Sequence, residues 1–191
     1  MYLDLLFNIS LFLSNILFTC ADIRYGIKDG ELKSGCNKIG SCAGTDKASD
    51  VYECEGKEKY IKWSLDLGKD DFEIRSEFKA GKIAGTALSF VLWNGKDSLH
   101  IGLDGGGKQL FYSGGSWGRG SIRGPTNLKP NTFQTLVIRR TGNVLKVALD
   151  GEKWDNLSLT GSIDAVGWRP WRNSIRVKNL VQIIPTGKKK I

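Results

Sequence analysis

Apolar and polar residues alternate along most of the chain with a period of two, the spacing of a strand with one buried face. In 71-DFEIRSEF-78, Phe72, Ile74 and Phe78 alternate with Glu73, Arg75 and Glu77, which predicts a half-buried strand with a charged outer side. The run 86-TALSFVLW-93 is almost continuously apolar and predicts a central strand covered on both sides. Asn94-Gly95 signals a tight turn. Then 98-SLHIGL-103 returns with Leu99, Ile101 and Leu103 on one side and His100 on the other. Asp104-Gly105-Gly106-Gly107 predicts a turn, 109-QLFY-112 a short strand, and 113–130 a long loop or two very short strands. The clearest hairpin is 133-FQTLVIRR-140, a turn at Thr141-Gly142-Asn143, and 144-VLKVALD-150. Residues 158–160, 163–168 and 174–184 predict closing strands. No long stretch keeps apolar residues at helical spacing. About ten short strands, turned every eight to twelve residues, predict an all-β fold, an antiparallel two-sheet β-sandwich.

The 191 residues suffice for one domain with a real core. Glycine is abundant (24) and proline scarce (4), which fits many tight turns. Residues 1–21 are an apolar run without Lys or Arg that ends in Thr19-Cys20-Ala21. They are expected to be a secretory signal peptide cut near Ala21, and the protein to be secreted. Two competing readings are a lipoprotein acylated at Cys20, for which Thr19 is a poor match, and a retained anchor. The anchor is disfavoured because Asn8, Ser10, Ser14 and Asn15 interrupt a run already short for a membrane span. Residues 22–59 are expected to form a polar, cysteine-containing irregular segment, 60–184 the sandwich, and 185–191 a frayed basic tail.

The net charge of +8 rises by one when the signal, with Asp4 as its only charged residue, is removed. A basic exported protein meets acidic glycans and anionic surfaces more often than nucleic acid. Cys36, Cys42 and Cys54 are the disulfide candidates of the mature chain, and an odd thiol remains after any one pair forms. His100 is the only histidine, so a structural zinc site is not expected. Asn156-Leu157-Ser158 is an N-glycosylation acceptor pattern.

Four stretches carry a resemblance. They are 71-DFEIRSEFKAGKIAGTALSFVL-92, 110-LFYSGGSWGRG-120, 133-FQTLVIRRTGNVLKVALDGEKW-154 and 163-IDAVGWRPWRNSIRVKNL-180. In their order and turn chemistry they resemble the concanavalin A-like sandwich family in its laminin G-like branch. The last looks like the ending of sandwich domains that sit as accessory modules beside sialidases and other secreted glycan-acting enzymes. The resemblance covers residues 60–184 and implies a jelly-roll fold; it implies no one activity, because this sandwich hosts lectins, glucanases and adhesion modules alike. The segment 116-SWGRGSIR-123 also resembles the sugar-stacking stretch of galectins. However, 100-HIGLDGG-106 lacks the paired His, Asn and Arg pattern of that family, so galactoside specificity is not carried over.

Glucanases of this sandwich use three carboxylates on one strand face, because one acid protonates while another attacks. Here Glu73, Arg75 and Glu77 put a cation in the middle, and no enzymatic function is expected. The expected function is a non-catalytic, lectin-like glycan-binding module. Sugars offer flat C–H faces and a hydroxyl rim, so a site needs an aromatic plate beside charged or amide groups. Trp117, Arg119 and Arg123 supply these on a Gly-rich segment, with His100 and Asp104 as outlying ligand-binding candidates. Trp168, Arg169, Pro170, Trp171 and Arg172 are expected to form a structural clamp, since Pro170 must break the strand and arginines stack on indoles. No cofactor or metal is expected. Calcium has only Asp104 and Asp150 on turns and no dense acidic loop. The alternative is an extracellular adhesion or matrix module that binds a protein, using a flat apolar patch and a free cysteine; a third is a glycan-acting enzyme with an unrecognised site.

Overall fold

The computed structural model describes residues 22–40, 42–81, 88–95, 97–103, 110–114, 118–122, 128–153, 156–171 and 173–184. All regular structure among them is strand. In chain order the elements are β1 (Asp22–Lys28), β2 (Glu31–Leu32), β3 (Cys36–Ile39), β4 (Gly44–Asp46), β5 (Val51–Glu55), β6 (Tyr60–Gly68), β7 (Phe72–Ala80), β8 (Leu88–Asn94) and β9 (Asp97–Leu103). They continue as β10 (Leu110–Gly114), β11 (Gly118–Ile122), β12 (Phe133–Thr141), β13 (Val144–Leu149), β14 (Glu152–Lys153), β15 (Leu157–Ser158), β16 (Ile163–Arg169) and β17 (Ser174–Ile184).

Two antiparallel sheets form the sandwich. Sheet A has the order β14-β13-β12-β7-β17-β1-β2, with β15 on β13, and β5 on β17 carrying β4. Sheet B has the order β11-β10-β9-β8-β16-β6-β3. Strict alternation sends Phe72, Ile74 and Phe78 of β7, with Leu136 and Ile138 of β12, into the space between the sheets. There they meet Leu88, Phe90 and Leu92 of β8 and Leu99, Ile101 and Leu103 of β9. The hairpins use the residues their turns demand. Asp150 (φ 49°) and Gly151 (φ 85°) make the two-residue connection between β13 and β14, the left-handed pair of a primed turn. The Asp150 carboxylate accepts from Gln134 Nε2 (2.9 Å) and Thr135 N (2.8 Å), so it is spent on the hairpin.

Residues 22–59, expected as an irregular segment, instead supply β1 to β5 and edge both sheets. β1 pairs with β17 over Asp22–Ile184 to Ile27–Leu180, and β3 pairs with β6. The alternation of this segment is weak in sequence for two reasons. A register shift between Tyr25 and Ile27 breaks the period, and β3 is an edge strand with only Cys36 buried. Gly26 is required in β1, because a Cβ there would sit 2.5 Å from the indole of Trp63.

Trp168 is the largest fully buried side chain among the described residues. From β16 in sheet B its ring lies 4.5 Å from that of Phe78 in sheet A and 5.1 Å, edge-on, from Phe90. Its Nε1 donates to Ser76 Oγ (2.9 Å), and Ser76 in turn donates to the Asn179 carbonyl (3.1 Å). Arg140, 1% exposed, closes one end of the core. It donates to the carbonyls of Gly142 (2.8 Å), Gly161 (2.8 Å) and Leu159 (3.2 Å).

Cys42 and Cys54 form a disulfide, and Cys36 is a buried free thiol whose pKa burial pushes up to about 12. The candidate glycosylation residue Asn156 is exposed, just before β15 at the edge of sheet A. The expected signal peptide and basic tail lie outside the described residues.

Ser76→Ala should cost about 1–3 kcal/mol of unfolding free energy with an unchanged denaturant slope, since it leaves a buried indole N–H without its acceptor. Urea denaturation followed by tryptophan fluorescence checks this. Cys42→Ser/Cys54→Ser should cost about 3 kcal/mol by the chain-entropy account, given a separation of 12 residues between the two half-cystines.

Candidate functional site

The outward side of sheet B carries several aromatic and cationic residues that the fold leaves out of its core. Because Trp168 points inward, Gly167 and Arg169 on either side of it face out. One row crosses the sheet through Lys62, Gly167, Val91, His100, Ser113 and Arg119. Trp93 stands opposite Ala165 and Ser98, one step along the strands from that row, and Tyr60 lies one step the other way on β6. Between them β16 carries Ala165 and Gly167, which leave room for the two rings to meet at 6.0 Å with an interplanar angle of 63°. Gly167 is also required for strand packing, since a Cβ there would overlap the Ile61 carbonyl. Val91 and Ser89 are 0% and 4% exposed on this outward side, so the middle of the face is shielded from solvent.

Lys62, Arg169 and Lys57 lie over rings. Lys62 Nζ lies 5.1 Å from the Trp93 ring centre. The Arg169 guanidinium lies 5.2 Å from Tyr60 and 4.1 Å from Trp171. Arg169 also donates through Nε to the Lys57 carbonyl (3.2 Å) and pairs with Glu58 (3.6 Å), leaving its side chain 17% exposed. Lys57 Nζ sits 5.1 Å from the Trp171 ring. Trp171 takes a left-handed backbone (φ 57°), and the Asn173 N–H closes the turn onto the Pro170 carbonyl (3.0 Å). That turn carries the chain from β16 in sheet B to β17 in sheet A. Four members of the expected clamp are thus placed: Trp168 and Pro170 buried, Arg169 and Trp171 stacked at the corner. Arg172 lies outside the described residues.

Of the sequence-derived ligand-binding residues, His100 is on this outward face, half-buried, with Nε2 3.0 Å from Ser98 Oγ. Burial, helped by the positive charge of Arg169, brings its pKa down to about 4. At neutral pH it therefore offers an uncharged donor and acceptor. Arg119 lies on β11 in register with Ser113, which stands opposite His100, so His100 and Arg119 share one row of the sheet. Trp117, Arg123 and Asp104 lie outside the described residues.

Sequence reasoning missed Trp93 and Tyr60. Trp93 was absorbed into a run expected to be covered on both sides. The available signal was its position just before Asn94-Gly95, where a strand comes out to solvent. On the other sheet, Glu73 differs from the solvated charge expected of it: it is 7% exposed. Burial raises its pKa, but hydrogen bonds from Arg139 and Arg75 outweigh this and hold it below the usual carboxylate range. Among the described residues no group of three or more His, Cys, Asp or Glu side chains is placed to hold a metal ion.

No protein-family profile matches the chain. Solved structures share the fold. A carbohydrate-binding module of Bacillus subtilis superposes with a TM-score of 0.59 at 16% identity, over 76% of this chain and 93% of that one. A galectin of Caenorhabditis elegans gives 0.54 at 13% identity, over 69% and 94%. A β-glucanase of Bacillus licheniformis gives 0.60 at 12% identity, over 86% and 97%. The protein therefore has the concanavalin A-like jelly-roll sandwich fold, shared with carbohydrate-binding modules, galectins and β-glucanases. At these identities the likeness establishes the fold.

His100 makes stability depend on pH in a defined window. Its folded pKa is depressed, so between its ordinary value of 6.5 and about 4 the unfolded chain binds a proton that the folded one refuses. Stability from this group is intact above the window and falls as pH drops through it. His100→Gln should remove that part of the acid sensitivity. Urea denaturation at about pH 7 and about pH 4.5 should show wild type losing ground to the variant at the lower pH.

Proposed function

We propose that this protein is a non-catalytic glycan-binding module, with its sugar seat on the outward face of sheet B around Trp93, Tyr60 and His100. The observation that carries the reading is the half-buried Trp93–Tyr60 ring pair beside a neutral histidine and Ser98. An indole suits the C–H face of a pyranose, and uncharged imidazole and hydroxyl groups suit its rim. Arg119, in the same row, adds a guanidinium fitted to a uronic or sialic acid carboxylate. Trp117, Arg123 and Asp104, which lie outside the described residues, remain part of the proposal. Glycan-binding neighbours of the same fold support this reading. The non-catalytic part is supported by the fate of Glu73, which two arginines hold ionised and away from acid–base work. Export is supported by the Cys42–Cys54 disulfide, a bond that persists in oxidising compartments. The rival reading of a protein-binding adhesion module drew on a free cysteine for intermolecular pairing, and Cys36 is only 5% exposed.

A glycan array probed with the wild-type protein, Trp93→Ala and Trp117→Ala tests the proposal, with circular dichroism confirming the fold of each. The wild type should retain at least one sugar class. Trp93→Ala should bind it about tenfold more weakly, the worth of one lost stacking contact. The idea fails if the array stays blank, or if both variants bind as the wild type does. Shortening of the retained oligosaccharide on incubation would instead mark an enzyme.

A further inference from the structure

The two outward faces of the sandwich use their cations differently. On sheet B, Lys62 and Arg169 lie over aromatic rings. On sheet A a stripe of exposed basic residues crosses the strands. Lys153 of β14 stands opposite Ala148 of β13, and Lys146 of the same strand stands opposite Arg139 of β12. Arg139 is in register with Glu73 of β7, and Arg75 follows two residues on. Across β17, Arg75 and Lys28 line one groove together with Tyr25, Thr135, Asn179 and Val181. Lys146 and Lys153 are exposed, and the side chains of Arg139 and Arg75 are 56% and 50% exposed.

The acids of this face are largely occupied. Glu73 is sunk between Arg75, which reaches it through Nε alone (2.6 Å), and Arg139, which reaches it through Nε (2.6 Å) and Nη2 and keeps Nη1 outward. Glu77 accepts from Asn179 Nδ2 (2.9 Å) and lies 4.0 Å from Lys178. Asp29 lies at the end of the groove, in the turn after β1. The surplus on the stripe is positive. From β14 to β1 there are five inter-strand steps, which at about 4.8 Å each make a path of about 24 Å. A single small anion occupies one point of such a path, whereas a chain carrying regularly spaced anions engages all of it.

We propose that the outward face of sheet A is a second ligand surface, which binds a linear acidic polysaccharide along the stripe Lys153–Lys146–Arg139–Arg75–Lys28. Arginine forks fit the planar carboxylate of a uronic acid and the oxygens of a sulfate ester, and the lysines add point charges. The Tyr25 ring, with Lys28 Nζ 5.3 Å from its centre, gives the groove end an apolar wall for a sugar ring. This surface lies on the opposite sheet from the Trp93 face and does not depend on it.

The experiment uses the full chain on immobilised heparin, eluted with a salt gradient, with Lys146→Glu/Lys153→Glu as the test variant and Lys38→Glu/Lys47→Glu, two exposed lysines on β3 and in the turn after β4, as the control. The test variant should elute at clearly lower salt and bind soluble heparin about tenfold more weakly, since two exposed pairings become repulsions. Lys38→Glu/Lys47→Glu, which changes the net charge equally but away from the stripe, should elute close to the wild type, and equal losses from both double variants overturn the proposal. Arg139→Ser, measured beside its own unfolding curve, should also elute earlier. Unchanged elution of the test variant overturns the proposal. So does binding to duplex DNA or phosphatidylserine vesicles as tight as to heparin and equally weakened by the test variant, because the surface would then select charge and not a polysaccharide.

Discussion

The sandwich is held in register by one side chain that belongs to one sheet and bonds to the other. Trp168 leaves β16 of sheet B, packs on Phe78 of sheet A and gives its N–H to Ser76 there. A buried indole carries a large apolar area and one donor that must be answered, so its position fixes both the spacing and the lateral offset of the layers. The consequence reaches the surface by alternation. With residue 168 committed inward, residues 167 and 169 have to point outward, and they are a glycine and an arginine. The glycine opens the space in which Trp93 and Tyr60 meet. The arginine turns back over Tyr60 and Trp171 and closes the corner. The core contact and the architecture of the outward face are therefore two results of the same strand.

The two faces illustrate how one residue type serves opposite ends. Guanidinium groups placed over rings lose water and freedom, and act as parts of the scaffold. Guanidinium groups pinned at Nε by a sunken carboxylate keep their outer nitrogens free while losing rotational freedom, which lowers the ordering cost of meeting an anion. Arg169 is of the first kind and Arg75 of the second. Residue type alone does not separate them; the difference is the partner each meets, rings for Arg169 and a sunken carboxylate on its own strand for Arg75.

The fold was legible from period-two alternation where strands have one wet side. β7 and β9 read that way, and their inward residues Phe72, Ile74, Phe78, Leu99, Ile101 and Leu103 are those expected; β12 and β13 read as a hairpin, which they form. Legibility failed where a strand is short, bulged or at an edge. β1 lost its period at the shift after Tyr25, and β3 buries only Cys36, so residues 22–59 read as irregular although they pair in both sheets. Part of the site was legible: His100 was marked as facing away from Leu99 and Ile101, and it does. The Trp93–Tyr60 pair was not, because it joins residues 33 positions apart on strands that are separated in the sheet by β16, and nothing local announces such a meeting. The disulfide partner of Cys54 was equally hidden, since three cysteines in one segment fit several pairings.

The position of β17 has a consequence for how the chain matures. This strand lies between β7 on one side and β1 and β5 on the other, yet it is the last of the strands in sequence. While the ribosome is still adding residues before 174, sheet A is split into two halves whose facing edges have no partner. The nascent chain must carry those open edges until residues 174–184 emerge, and only then does the sheet zip shut. Such distant pairing makes for slow folding. It also makes the interval of synthesis, more than the finished fold, the period in which this protein is exposed to misassembly with its own copies.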